Sequence, residues 1–145
     1  MTGVKNRNAI VVGCGVFGSA FASALSRSGW NVTAIDMREE AFEELDDDFD
    51  GETVTADGSS ASVLEECGIR NAGLLAALTE HDATNLLVAE LGSEIYGVER
   101  VIPRIEDESL LRLLDELNVD PLCPHLVCLE RLSSSLGLKR AGGSR

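Results

Sequence analysis

The sequence predicts an α/β protein: one doubly wound domain on a six-stranded parallel sheet, closed by a C-terminal amphipathic helix. Three observations predict it. Six short apolar runs alternate with segments of helical periodicity, the pattern of buried parallel strands joined by helical crossovers. A glycine-rich turn stands between the first run and the first helix, and an aspartate closes the second run.

The elements follow in order. Residues 8–12 (NAIVV) are an apolar run ending at Gly13, which reads as a buried strand. Residues 17–28 carry Phe17, Ala20, Phe21, Ala24 and Leu25 at helical spacing, and Gly29 closes that helix. Residues 30–35 (WNVTAI) are rich in β-branched side chains and form the second strand. Residues 38–45 are expected to be helical and strongly acidic, and 52–56 a third strand. Residues 59–67 form a helix with Ser59 or Ser60 as N-cap. GLLAAL at 73–78 is the fourth strand. Thr79 opens the next helix, with Asp82 three residues on in a capping-box-like arrangement, and that helix runs to about Tyr96. Residues 100–104 form the fifth strand, and 106–117 an amphipathic helix with Leu110, Leu113, Leu114 and Leu117 on one face. Residues 119–123 form the sixth strand and 125–138 the last helix. The chain divides into a tail 1–7, a doubly wound domain 8–124, the C-terminal helix 125–138 and a tail 139–145.

Composition excludes several function classes. Among 145 residues, 12 Lys plus Arg face 25 Asp plus Glu, for a net charge of −13. Phosphate backbones and anionic membrane surfaces need basic patches, so neither nucleic acid nor direct membrane binding is expected. No apolar run reaches the ~20 residues of a membrane-spanning helix. The N-terminus lacks the apolar core of a signal peptide, which predicts a cytosolic protein with Cys14, Cys67, Cys123 and Cys128 as reduced thiols.

Gly13-Cys-Gly15-Val-Phe-Gly18 matches G-x-G-x-x-G in the context the motif requires, leaving a strand and opening a helix. Gly13 permits the tight turn, Gly15 lets a pyrophosphate approach the backbone, and Gly18 lets the helix pack on the strand. The helix N-terminus then offers unpaired N–H groups to phosphates, which lets an acidic protein bind an anion. Asp36 is placed to accept hydrogen bonds from the adenosine ribose and to repel the 2′-phosphate of NADP. The fold is therefore a Rossmann fold. Asp57, at the end of the third strand, is either a neighbour of the adenine or an N-cap. Thr79 either faces the crevice or only caps a helix. Arg104 either reaches a phosphate or pairs with Glu106 or Asp107. Cys14, at a helix N-terminus, is either a low-pKa redox thiol or a small packing residue. No Ser/His/Asp or Cys/His catalytic set is recognised. The Cys123-Pro-His125-Leu-Val-Cys128 segment lacks a zinc-ligand spacing, so no metal is expected.

Five stretches together resemble the N-terminal domain of regulators of potassium conductance (RCK, KTN or TrkA-N): IVVGCGVFGS at 10–19, VTAID at 32–36, ADGSSASVLEECGIRNAG at 56–73, LTEHDATNLL at 78–87 and VIPRIEDESLLRLLDELNVD at 101–120. The turn after Asp57 and the Thr-x-x-Asp-x-x-Asn run from Thr79 carry the resemblance more than the glycine loop does. It implies a cytosolic regulatory domain, not an enzyme, peripheral to the inner face of the membrane through a potassium channel or transporter partner. It implies an adenine nucleotide in the crevice and a homodimer or ring assembled through the last helix. Gly13, Gly15 and Gly18 would hold the phosphates and Asp36 the ribose. Asp57 would lie beside the adenine, with Gly58 and Ser59 completing that turn, and Thr79 and Arg104 would lie near the phosphates. Cys14, Val16, Phe17, Met37 and Leu78 would complete the nucleotide-binding set. Val16 stands where ATP-responsive members carry Arg, which favours NAD(H), ADP or AMP over ATP. Pro124-His125 replaces the Pro-Glu that serves an inter-subunit cation in many members. Relatives often continue into a further ligand-binding domain, so this chain is expected either to be part of a longer one or to work with a separate partner chain. Two further expectations accompany this reading: Asp36→Ala weakens nucleotide binding with the fold intact, and the competing class is an NAD-dependent oxidoreductase or a fragment of one.

Overall fold

The computed structural model describes residues 6–139; the expected tails 1–7 and 139–145 lie outside it except for residues 6, 7 and 139. Five parallel strands form one sheet: β1 (Asn8–Val12), β2 (Asn31–Asp36), β3 (Glu52–Thr55), β4 (Leu74–Ala77) and β5 (Arg100–Pro103), in the order β3-β2-β1-β4-β5. Chain direction across the sheet reverses between β1 and β4, which opens a crevice at their C-terminal ends.

The alternation of side chains along each strand sorts the core into two layers. Ala9 and Val11 of β1 and Leu74 and Ala76 of β4 meet α1 (Val16–Arg27), through Ala22 and Leu25. Ile10, Val12, Leu75, Ala77 and Val101 meet α2 (Ala61–Glu66) and α3 (Asp82–Glu90) on the other face. The sheet presents Ala9, Val11, Val32, Leu74 and Ala76 to α1.

The sixth strand does not form. Residues 120–122 run parallel to β5 and its continuation and bond there at three points: Asp120 N–H donates to Val101 C=O (2.8 Å), Leu122 N–H to Pro103 C=O (2.8 Å), and Ile105 N–H, just past β5, to Leu122 C=O (2.9 Å). Only the Arg104–Leu122 pair is a complete bridge. The next rung would require the N–H of residue 103 to donate to Asp120, and proline has none.

Three expected helices also differ. Residues Glu39–Glu44 and Glu108–Leu114 are 3-10 helices. At the second, Asp107 Oδ1 accepts the Ser109 N–H (3.0 Å) and sets a tight first turn. The helix expected from Thr79 begins instead at Asp82, and its end becomes a π-turn at Leu91–Ile95. There Gly92 lies against Leu75, where a Cβ would collide with the Leu75 side chain. Ser60, not Ser59, caps α2 by accepting from Val63 N–H (3.4 Å).

The last helix, α4 (Pro124–Leu136), ends at Gly137 in the left-handed conformation. Only Ser133 in it is buried, whereas Val127, Leu129, Leu132 and Leu136 are all at least half exposed. Among the described residues no helix is long and apolar enough to cross a membrane.

Candidate functional site

The crevice between β1 and β4 holds a cavity of about 500 Å³, within the size range of small-molecule and cofactor sites. Its floor is the turn after β1. Gly13 adopts φ +101°, and a Cβ there would lie 2.7 Å from the Thr79 backbone nitrogen. Gly18 packs so tightly beneath it that a Cβ would run into the Gly13 carbonyl oxygen. Gly15 is different: a Cβ built there meets nothing within 4 Å. Gly15 is also the N-cap of α1, with no side chain bonding the first-turn amides. The first N–H groups of a helix have no acceptor of their own, so this end presents donors and partial positive charge to open space. An end of this kind can receive an anion, and it is built without a basic side chain in the loop.

Asp36 stands across the loop at the end of β2. Its Oδ2 accepts the Cys14 N–H (2.8 Å) and its Oδ1 the Arg38 N–H (2.9 Å). A carboxylate has about four lone-pair sites, so two acceptor positions remain for hydroxyl groups. The aspartate thus orders the glycine turn while keeping capacity for a ligand. Asp57, on the same wall, accepts the Ser59 N–H (3.0 Å) and hydroxyl (2.7 Å), and these bonds hold its carboxyl below the usual aspartate range. It does not cap α2.

On the opposite wall, the ends of β4 and β5 are tied together from α3. Asn85 is fully buried. Its Oδ1 accepts the Thr79 N–H (3.1 Å) and hydroxyl (2.7 Å), and its Nδ2 donates to Thr79 C=O (3.0 Å) and Arg104 C=O (2.7 Å). Asp82 accepts the N–H groups of Glu106 and Asp107, both at 2.9 Å. The Thr-x-x-Asp-x-x-Asn run is therefore a brace: it fixes where Thr79 and Arg104 meet the cavity. The Thr79 hydroxyl donates to Asn85 and its oxygen accepts the His81 N–H (3.1 Å) just before α3; the N-cap of that helix is His81, so Thr79 orders the approach to the helix and does not cap it. Arg104 pairs with Glu106 (Nε to Oε2 2.7 Å) and lies 5.8 Å from the centre of the Phe17 ring.

Of the residues expected from sequence, Gly13, Gly15, Val16, Phe17, Gly18, Asp36, Met37, Asp57, Gly58, Leu78, Thr79 and Arg104 line this one cavity. Cys14 and Ser59 do not. Cys14 is fully buried among Ala34 and Ala41, and its backbone N–H is taken by Asp36. Ser59 serves Asp57. Sequence reasoning missed Arg38, Glu80, His81 and Thr84, which also line the cavity. Each directly follows, or stands one turn beyond, a strand end already singled out, and that adjacency was the available signal. Among the described residues no three His, Cys, Asp or Glu side chains come together as a metal site.

The Cys14 thiol also corrects the redox alternative. Burial, and then the Asp36 charge, push it from 9.0 up to about 12. A raised thiol pKa in the folded state favours the protonated fold. Its contribution is complete below pH 9 and is lost as pH rises from 9 toward 12. Urea midpoints taken at pH 8 and at pH 10.5 should therefore fall further in the native chain than in Cys14→Ala. Equal falls would show that this thiol does not couple folding to pH.

Three comparisons bear on the arrangement. The chain is 36% identical over 110 residues to the Trk system potassium uptake protein TrkA of Streptomyces coelicolor, an alignment covering 76% of this chain and 49% of that protein. It thus spans about half the length of that relative. The TrkA-N domain of the inner membrane protein YbaL from Escherichia coli superposes with a TM-score of 0.76 at 15% identity, over 90% of this chain and 96% of that one. The C-terminal domain of Kef from Shewanella denitrificans, solved in an AMP-bound form, gives a TM-score of 0.65 at 19% identity, over 92% and 83%. Both structural matches speak to the fold. The TrkA-N domain model matches residues 9–123, which contain every cavity-lining residue named above, and with that match the chain belongs to the TrkA-N domain family.

Proposed function

We propose that this chain is a nucleotide-sensing regulatory domain of a potassium channel or transporter, and that it has no catalytic activity of its own. The observation that carries the reading is the open space over Gly15, at the bare N-terminus of α1 and facing Asp36, in a chain of the TrkA-N family. An adenine nucleotide fits it. Its phosphate would take the first-turn amides, its ribose the free lone pairs of Asp36, and its base the side of the cavity near Asp57 and Gly58. Val16, Phe17 and Met37 are exposed apolar side chains at the rim, suited to covering the flat faces of a bound ligand.

Electrostatics supports NAD(H), ADP or AMP over ATP. The cavity is lined by Asp36, Asp57 and Glu80 against Arg38 and Arg104, and Arg104 is already paired with Glu106. Each added phosphate charge meets a wall with little positive charge to spare. The Asp36 carboxylate opposes the 2′-phosphate of NADP.

The bare apolar side of α4 supports a homodimer, extendable to a ring, in which this helix seats on a second copy. Nucleotide binding would favour one dimer geometry, and a membrane-embedded partner at the cytoplasmic face would read it. Such a ligand shifts the equilibrium only by its difference in affinity between the two geometries.

The test is a thermal-shift panel with NAD, NADH, ATP, ADP, AMP and NADP, with mass followed by light scattering. NAD(H), ADP or AMP should raise the melting temperature most, and NADP least. No shift with any nucleotide would sink the sensor reading, and steady NADH oxidation with a carbonyl substrate would favour an oxidoreductase. By calorimetry, Asp36→Ala should weaken binding by tenfold or more, about 1.4 kcal/mol. It should also lower stability by about 1–3 kcal/mol, because the Cys14 N–H loses its acceptor. The fold should nevertheless stay intact in that variant, at this lower stability.

A further inference from the structure

Away from the crevice, two elements bring a nucleophile, a base and a carboxylate into line. Cys123 is the N-cap residue of α4, and its Sγ lies 3.4 Å from Nδ1 of His125. The other ring nitrogen, Nε2, lies 3.2 Å from Oε1 of Glu108, at the start of the 3-10 helix Glu108–Leu114. The carboxylate selects the tautomer. With the proton on Nε2 donated to Glu108, Nδ1 is left as an acceptor facing the thiol. A thiol so placed can pass its proton to the imidazole, leaving a thiolate beside an imidazolium that Glu108 stabilises. The N-terminus of a 13-residue helix favours the same negative charge.

The other cysteines lack this arrangement. Cys14 is sealed in the core, and burial also raises the Cys67 thiol. Cys128 is exposed but has no imidazole bonded to it. Cys123 itself is only 5% exposed, so the proposal is confined to the smallest oxidants.

We propose that Cys123 is a peroxide-reactive modification site, with His125 as its base and Glu108 as the residue that positions the imidazole. The thiolate sulfur attacks one oxygen of hydrogen peroxide, an S–O bond forms and the O–O bond breaks. Sulfur is oxidised by two electrons to the sulfenic acid, and the peroxide is reduced. The departing hydroxide takes the proton held by His125 and leaves as water, which returns the imidazole to its neutral form.

The intact chain is pulsed with limiting hydrogen peroxide, catalase removes the excess, the chain is unfolded in urea containing dimedone, which traps the sulfenic acids already formed, and each cysteine is followed by peptide mass spectrometry. Cys123 should be labelled roughly tenfold faster than the exposed Cys128. Cys14 should stay unlabelled and so report that the protein is folded. In His125→Ala the Cys123 rate should fall roughly tenfold with Cys14 still protected. A ring serving only to cover the thiol would give the opposite result, because its removal would speed labelling. Glu108→Ala should slow labelling several-fold. Glu108→Gln should recover most of the rate, since its amide oxygen can accept the same ring N–H. Faster labelling of Cys128, or an unchanged or higher Cys123 rate in folded His125→Ala, would overturn the proposal. Equal rates in all three forms at position 108 would overturn the part given to Glu108.

Discussion

Asn85→Ala should lower stability by about 3 kcal/mol or more and the melting temperature by about 10 °C. Its amide makes four hydrogen bonds in a fully buried position. Truncation leaves the Thr79 N–H and the carbonyls of Thr79 and Arg104 without partners, each costing about 1–3 kcal/mol where water cannot replace the bond. Relaxation of the β4 and β5 ends would reduce the sum, and it would also move Thr79 and Arg104 relative to the cavity. Thermal unfolding followed by circular dichroism checks the first effect, and nucleotide titration of the folded variant checks the second. A melting temperature within a degree or two of the native chain would mean that the brace does not hold these strand ends together.

The glycine loop should separate folding from binding. Gly18→Ala places a methyl group on the Gly13 carbonyl oxygen, and backbone on both sides resists the shift. The expected outcome is a loss of about 3 kcal/mol or failure to yield soluble protein. Gly15→Ala places its methyl in open space at an ordinary φ of −70°. Its stability should change by less than about 0.5 kcal/mol. The same methyl would occupy the space over the first-turn amides, so nucleotide affinity should drop by roughly tenfold or more, about 1.4 kcal/mol. The two alanines thus make a matched pair, one read by denaturation and one by calorimetry. Native-like affinity in Gly15→Ala would remove the loop from the phosphate site.

The strands were legible because buried parallel strands read as apolar runs, and the glycine turn because only glycine satisfies its two close approaches at Gly13 and Gly18. The missing sixth strand was not legible from residues 119–123 themselves. What prevents it is Pro103 on the neighbouring strand, a property of the pairing and not of the run. Residues 38–45 and 106–117 were read as helical, and the 3-10 type was not legible because the six and seven residues that form it are too few to separate a period of 3.0 from one of 3.6. At Thr79 the expected cap failed because the helix starts three residues later, at Asp82, while the Thr79 hydroxyl is shared between the His81 N–H and the buried Asn85 amide. Asn85 was visible only as part of a family-like pattern, with nothing local to show that it reaches both strand ends. At Cys14, position at a helix N-terminus suggested a lowered thiol pKa, but burial reversed the direction.

The proline in β5 also bears on how fast backbone protons exchange with solvent. Residues 120–122 are held to the sheet by three hydrogen bonds, while β1 lies between two fully paired neighbours. Separating that margin costs about 0.5–1.5 kcal/mol per bond, far less than opening the centre. The amides of Asp120 and Leu122 should lose deuterium protection well before those of Ile10 and Val11. α4 continues directly from that margin, so it can change its angle to the domain without the sheet unfolding.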